Sequence, residues 1–306
     1  MEQRSRRTSM AMKFFASWIV FPLCLASVCI SQRAAAVTMG YVGANSDQPG
    51  TCDEKTGICS LTVPIGGYSV PPGNPSDYGM CGILGLSGNF ARAKDARIII
   101  VGNQYQANLQ WTGGGVIPPI ELEWTCAHLT EFSGLPAASK FALNQPMPVT
   151  SSSGSASSRQ IAGEPDACIW TGIARLPSSG DESPTFDVNT QIESGGNRTF
   201  AAAQTLAGSL STYAFCYTFT GKSSAWKYNR IGRFTASPTT SMPGVDLPGT
   251  TQNKFWCFMV GVQGDKVSAT ADFDAFLQID HMVHPPVYQY YVNSQGLYWN
   301  CLAFSQ

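Results

Sequence analysis

Eight of the ten cysteines, all but Cys24 and Cys29 in the first 36 residues, constrain this chain more than any other feature. Three of them open segments spelled alike, CGILGLSG at 81–88, CIWTGIAR at 168–175 and CFMVGVQG at 257–264. In each, a cysteine is followed by three mostly apolar residues, a glycine (Gly85, Gly172, Gly261) and an aliphatic residue. A second cysteine follows after 45, 48 and 44 residues, at Cys126, Cys216 and Cys301. An aromatic stands shortly before each of these closing cysteines, and Leu129, Phe219 or Phe304 stands three places after it. The opening cysteines are 87 and 89 residues apart, which defines a unit and tiles the chain as 37–132, 133–220 and 221–306.

An even number of cysteines at such spacings reads as a disulfide framework in a chain exported to an oxidising compartment. Tetrahedral metal sites need close cysteine pairs, and beyond residue 36 only Cys52 and Cys59 are close, so no metal is expected. Periodicity favours the local pairing Cys81–Cys126, Cys168–Cys216 and Cys257–Cys301, which leaves Cys52–Cys59 to close the CDEKTGIC turn.

The text between the cysteines is strand text. IIIVGNQYQANLQW, TFDVNTQI, FDAFLQID and VYQYYV are rich in β-branched and aromatic residues, often alternating, with Gly, Asn and Pro between them. Helical periodicity comes nearest at AAAQTLAGSL, 201–210, and is not sustained. The expected fold is therefore all-β: three repeated antiparallel units, sandwich-like or curled sheets, each with an internal disulfide. They would stand in tandem or around a pseudo-threefold axis. The glycine inside each opening strand predicts a bulge or a close backbone approach. An immunoglobulin sandwich would carry a Trp behind the first cysteine and a Tyr two residues before the second, a pattern these units do not follow.

Residues 1–36 read as a secretory signal peptide. Arg4, Arg6, Arg7 and Lys13 precede the apolar run Trp18–Ile30, and Ala34-Ala35-Ala36 offers a cleavage site. That run is shorter than the roughly 20 apolar residues a bilayer span requires, and no transmembrane span is expected after its removal. Five of the 19 Lys and Arg, and one of the 20 Asp and Glu, lie in this segment. The remainder has 14 basic and 19 acidic residues, a net charge of −5, which disfavours nucleic acid as a partner. Secretion is the expected localisation: extracellular, or periplasmic or at the cell surface in a bacterium.

Marks of catalysis are sparse. The chain has no GxSxG elbow, HExxH helix, phosphate-binding GxxxxGK or GxGxxG loop. DHMVHPP places His281 and His284 near Asp280, three residues apart, where strand alternation sends them to opposite faces. His128 stands two residues past Cys126, and Asp272 and Asp274 alternate on one strand face. No cofactor is implied. Binding residues are better represented: Trp111 beside Gly113-Gly114-Gly115, Trp226 and Tyr228 within the basic stretch GKSSAWKYNRIGRF, and Tyr288 and Tyr290 on one face of VYQYYV. Asn197-Arg198-Thr199 fits a glycosylation acceptor, and SSSGSASS at 151–158 reads as a linker. The expectation is an exported repeat protein that binds a surface glycan or another extracellular protein. Its alternatives are a purely structural secreted protein and, less favoured, a secreted hydrolase.

Overall fold

A computed structural model describes residues 37–43, 50–88, 93–112, 120–135, 140–145, 148–152, 156–161, 165–176, 186–192, 198–203, 209–226, 230–235, 245–264, 273–280, 282, 285–292 and 296–305. The signal segment and the glycines at 113–115 lie outside them, as do Asn197, Tyr228, Asp272, His281 and His284.

Twenty strands run in chain order: β1 Val37–Gly43, β2 Thr51–Asp53, β3 Ile58–Ser69, β4 Gly79–Gly88, β5 Ala93–Val101, β6 Gln104–Thr112 and β7 Ile120–His128. After these come β8 Lys140–Asn144, β9 Val149–Ser152, β10 Ala156–Ile161, β11 Ala167–Leu176, β12 Phe186–Ile192, β13 Arg198–Ala203 and β14 Ser209–Thr220. The last are β15 Arg230–Thr235, β16 Val245–Thr251, β17 Phe255–Gly264, β18 Phe273–Asp280, β19 Val287–Val292 and β20 Gly296–Ala303. The linker-like 151–158 contributes to β9 and β10, contrary to its composition, and 201–203 belong to β13, in keeping with an all-β chain. Pairing is antiparallel throughout the named strands.

The strands make three sheets. Sheet one has the order β1-β7-β4-β18-β19-β16, and sheet three the order β10-β13-β12-β17-β20-β15. Sheet two runs β2-β3-β6-β5-β11-β14-β8, with β9 also on β14. Each sheet holds one of the three long-range disulfide-linked pairs, β4 with β7, β11 with β14, and β17 with β20. The bonds are Cys81–Cys126, Cys168–Cys216 and Cys257–Cys301, and Cys52–Cys59 joins β2 to β3. Every bonded pair is directly opposed across its ladder, with Cα atoms 4.0 to 4.2 Å apart. That is the close approach of a narrow antiparallel pair, which brings two thiols into bonding range without bending the backbone.

Beside each bonded pair lies a hairpin that the chain makes elsewhere. Hairpin β5–β6 falls between Cys81 and Cys126 in sequence yet pairs with β11. Hairpin β12–β13 falls between Cys168 and Cys216 yet pairs with β17, and β18–β19, between Cys257 and Cys301, pairs with β4. Each hairpin is passed to the next sheet, and the third returns to the first. Sheets confined to the stretches 37–132, 133–220 and 221–306 are therefore not what forms, since every sheet draws strands from two of them. Ala35–Gln306 cluster as one unit.

The glycines of the opening strands mark where each strand gains a second partner. Register shifts fall between Ile83 and Gly85, Trp170 and Gly172, and Met259 and Gly261, leaving Leu84, Thr171 and Val260 as bulge residues. Pairing with the donated hairpin begins at the glycine and continues downstream, from Gly85, Gly172 and Gly261. Upstream, the opening strands turn toward one another. A Cβ on Gly82 would lie 2.9 Å from Ile169 Cγ2 and 3.2 Å from Phe258 Cβ, so the residues just after the three opening cysteines meet in one place. The smallest of the three makes room for the other two.

One apolar core runs through all three sheets. Trp256 Nε1 donates to Thr125 Oγ1 at 2.9 Å, and Trp170 Nε1 to Thr212 Oγ1 at 2.9 Å, so both indoles are satisfied when buried. Tyr105 donates to the carbonyl of Gly79 at 2.8 Å, with its hydroxyl 2.9 Å from that of Tyr217. This fastens the first donated hairpin to two sheets at once. Burial pushes both phenols upward from their ordinary range and keeps the pair protonated.

Candidate functional site

The aromatic residues singled out for binding are largely core residues. Trp111 is 1% exposed and Tyr288 0%. Tyr290 is 6% exposed and stacks on Trp299 with ring centroids 5.7 Å apart. Trp226 packs edge-on against Phe219 at 4.8 Å and directs Nε1 to the Asp166 carbonyl at 3.4 Å. Strand alternation offered two faces of VYQYYV, and the Tyr288 and Tyr290 face is the one turned inward. The correction has a simple cause: large rings bury the most area per residue, and the three sheets share one core that takes them. Tyr228 lies outside the described residues. His128 stacks on Tyr68 at 4.5 Å, whose hydroxyl donates to Thr38 Oγ1 at 2.7 Å, a packing role. The strand of Asp274 and Asp280 is placed, and their side chains are outside the description. Among the described residues no three His, Cys, Asp or Glu converge as a metal site.

A different set of residues forms a cleft. At the bulge of β11 the sheet forks, because β5 pairs with β11 only at Gly172–Ala174. The space beyond the fork is a cavity of about 500 Å³ lined by Arg97, Ile98, Ile99 and Ile100 of β5, Thr171 of β11, Tyr213, Ala214 and Phe215 of β14, and Gln145 and Pro148. Its volume is within the range of about 300–1,000 Å³ typical of small-molecule sites.

Polar groups converge beside this cleft. Arg97 Nε lies 2.8 Å from Asp95 Oδ2, and the Arg97 guanidinium sits over the Tyr213 ring, 4.3 Å from its centroid. The arginine is thus held from the side and from below, in an ion pair and a cation–π contact. The Asp95 side chain is 8% exposed, that of Arg97 29%. Two buried oxygens here have no partner, Asp95 Oδ1 and Thr171 Oγ1. Arg97 Nε, though ion-paired, makes no hydrogen bond either, and unpartnered buried atoms also occur away from the cleft, at Ser69 and Asn300 among others.

Burial pushes the Asp95 carboxyl up to about 6, against the opposing pull of Arg97. A folded-state value raised above the unfolded one favours folding fully in acid, and that contribution is lost as pH rises through about 6. Between pH 4 and 6.5, wild-type stability should fall relative to Asp95→Asn by roughly 2 kcal/mol. Urea unfolding of both proteins at pH 4, 5 and 6.5 measures this. Parallel curves would show that burial does not perturb Asp95.

None of Asp95, Arg97, Thr171 and Tyr213 stood out in the sequence, though one signal was there. In the three opening segments the residue before the glycine is Leu84, Thr171 and Val260, so a hydroxyl replaces an aliphatic side chain in one of them. The partner of that glycine on the donated hairpin is Arg97 in sheet two, Phe276 in sheet one and Asn189 in sheet three. A cation and a hydroxyl meet at this place in sheet two alone. No family model matches this chain, and no curated protein or solved structure matches it either.

Proposed function

We propose that this protein is an exported, disulfide-bonded binding module whose ligand enters the fork of sheet two. In this reading the scaffold is three related β units closed around a pseudo-threefold axis by hairpin exchange. Common register supports the relationship. Beyond the shared bulge and disulfide, Asp95, Asp187 and Asp274 each face the residue two places after the bulge glycine, namely Ala174, Gln263 and Ser87. Four disulfides suit an oxidising compartment. Among the described residues no helix is long and apolar enough to cross a membrane.

The observation that carries the binding reading is the cleft itself, with an apolar wall and a few convergent polar groups, two of them buried and unpartnered. A glycan or an extracellular protein would engage it through a terminal group that fits the fork rather than by stacking on Trp111 or Tyr288. The second reading, a purely structural secreted protein, is favoured by the burial of those rings.

A screen of glycans and small organic acids by thermal shift separates the two. Gln145 is exposed at the cleft, so Gln145→Trp should obstruct the site while changing stability by no more than about 0.5 kcal/mol. Binding that appears in the wild type and drops at least tenfold in the variant is the expected result. No ligand from either panel, or equal binding by both proteins, would leave the structural reading in possession.

A further inference from the structure

We infer that the fork of sheet two takes a small organic acid, its carboxylate on Arg97 and Thr171 and its apolar body against Ile99 and Phe215. This rests on the binding reading above and names the class of ligand.

Three features of the cleft lead to it. Arg97 is fixed by Asp95 at Nε and by the Tyr213 ring on its face, which leaves the outer edge of the guanidinium with two parallel N–H donors. That edge matches a carboxylate in bidentate fashion. Thr171 lines the cavity and its buried Oγ1 has no partner, so a ligand acceptor that reaches it would satisfy it. The rest of the lining is mostly aliphatic and aromatic. A sugar ring, with hydroxyls on most of its carbons, would leave several of them unsatisfied against such a wall. A phenyl or alkyl body would not.

Asp95 then acts as an internal competitor. Its carboxylate occupies the same cation, and Asp95 Oδ1 has no donor to hold it. The groups around it add no other charge among the described side chains: its register partners are Gln110 on β6 and Ala174 on β11, and Tyr213 faces the arginine from β14. Lys94 is adjacent on β5 itself, at a bulge. Protonation of Asp95 frees Arg97 for the ligand and removes the repulsion between two carboxylates. Binding therefore strengthens as pH falls through the range where Asp95 titrates, about 6.

Calorimetric titration of the full exported chain with 3-phenylpropionate, 3-phenylpropionamide and galacturonate, at pH 5.5 and 7.5, tests the inference. Phenylpropionate should bind, and bind at least about fivefold more tightly at pH 5.5. The amide and galacturonate should bind at least about tenfold more weakly than the acid. Asp95→Asn should hold phenylpropionate at pH 7.5 as tightly as the wild type does at pH 5.5, with no pH dependence. Arg97→Lys keeps the charge and loses the parallel donors, so affinity should drop about tenfold while near-ultraviolet dichroism stays native. Equal binding of acid and amide would overturn the carboxylate assignment and leave a general binding cleft standing. Preference for galacturonate would transfer the site to sugar acids and overturn the apolar body. Silence from all three probes, together with silence in the wider screen, would remove the binding reading as well.

Discussion

Replacing Cys168 and Cys216 together by alanine is expected to cost about 4 kcal/mol, because the bond closes a loop whose ends are 48 residues apart and the unfolded chain regains that freedom. The same change at Cys52 and Cys59, 7 residues apart, should cost only about 2 kcal/mol. Within the larger loop lies hairpin β12–β13, which is built into sheet three, so the bond also restrains a segment that two sheets share. A loss of about 4 kcal/mol corresponds to a melting point lower by roughly 10 °C in a chain of this size. Urea unfolding of the two double variants gives the comparison directly. Equal losses, or a loss below 1 kcal/mol for Cys168 and Cys216, would mean that packing rather than the bond restrains the pair.

Gly172→Ala is the second large effect. The backbone of Gly172 has φ +141°, which side chains rarely adopt. A Cβ there would stand 2.2 Å from the Ala96 carbonyl oxygen and 2.3 Å from Arg97 Cβ. Both obstacles are backbone or near it, so β5 must move away from β11 for the variant to fold. Strain at the residue and forced separation of the strands together should cost about 3 kcal/mol or more. Gly66 has nothing within 4 Å of its would-be Cβ and no such φ, and Gly66→Ala is the matched control, expected to be close to neutral. Because the moved strand carries Arg97, any Gly172→Ala protein that folds should also lose the ligand of the fork. A variant as stable as the Gly66 control would show that β5 and β11 are not packed as tightly as this geometry implies.

Much of the fold was legible because it is written in short-range pattern. Alternation and β-branched content identified the strands. The spacing of six cysteines picked out bonded pairs, since residues at matching places in like segments face like partners. Gly85, Gly172 and Gly261 announced bulges, because a glycine inside apolar strand text has little else to offer a sheet. The binding residues were less accessible. Trp111, Tyr288 and Tyr290 have the composition of contact surfaces, but alternation tells only that two faces exist. Which face turns inward depends on what another part of the chain lays over it. Thr171 carried a trace of the site, visible only when the three segments are aligned and the one polar exception is noticed.

By itself the sequence determined the strands, their bulges and the partners of its cysteines, all of which follow from side chains and their spacing. Tertiary structure decided where the hairpins go. Backbone hydrogen bonds are the same for every residue, so β5–β6 has no local reason to prefer β11 over β4; it takes the edge that buries its apolar face in the shared core. That choice sets Asp95 and Arg97 beside Thr171 and Tyr213, residues far apart in the chain, and so makes the polar fork of sheet two.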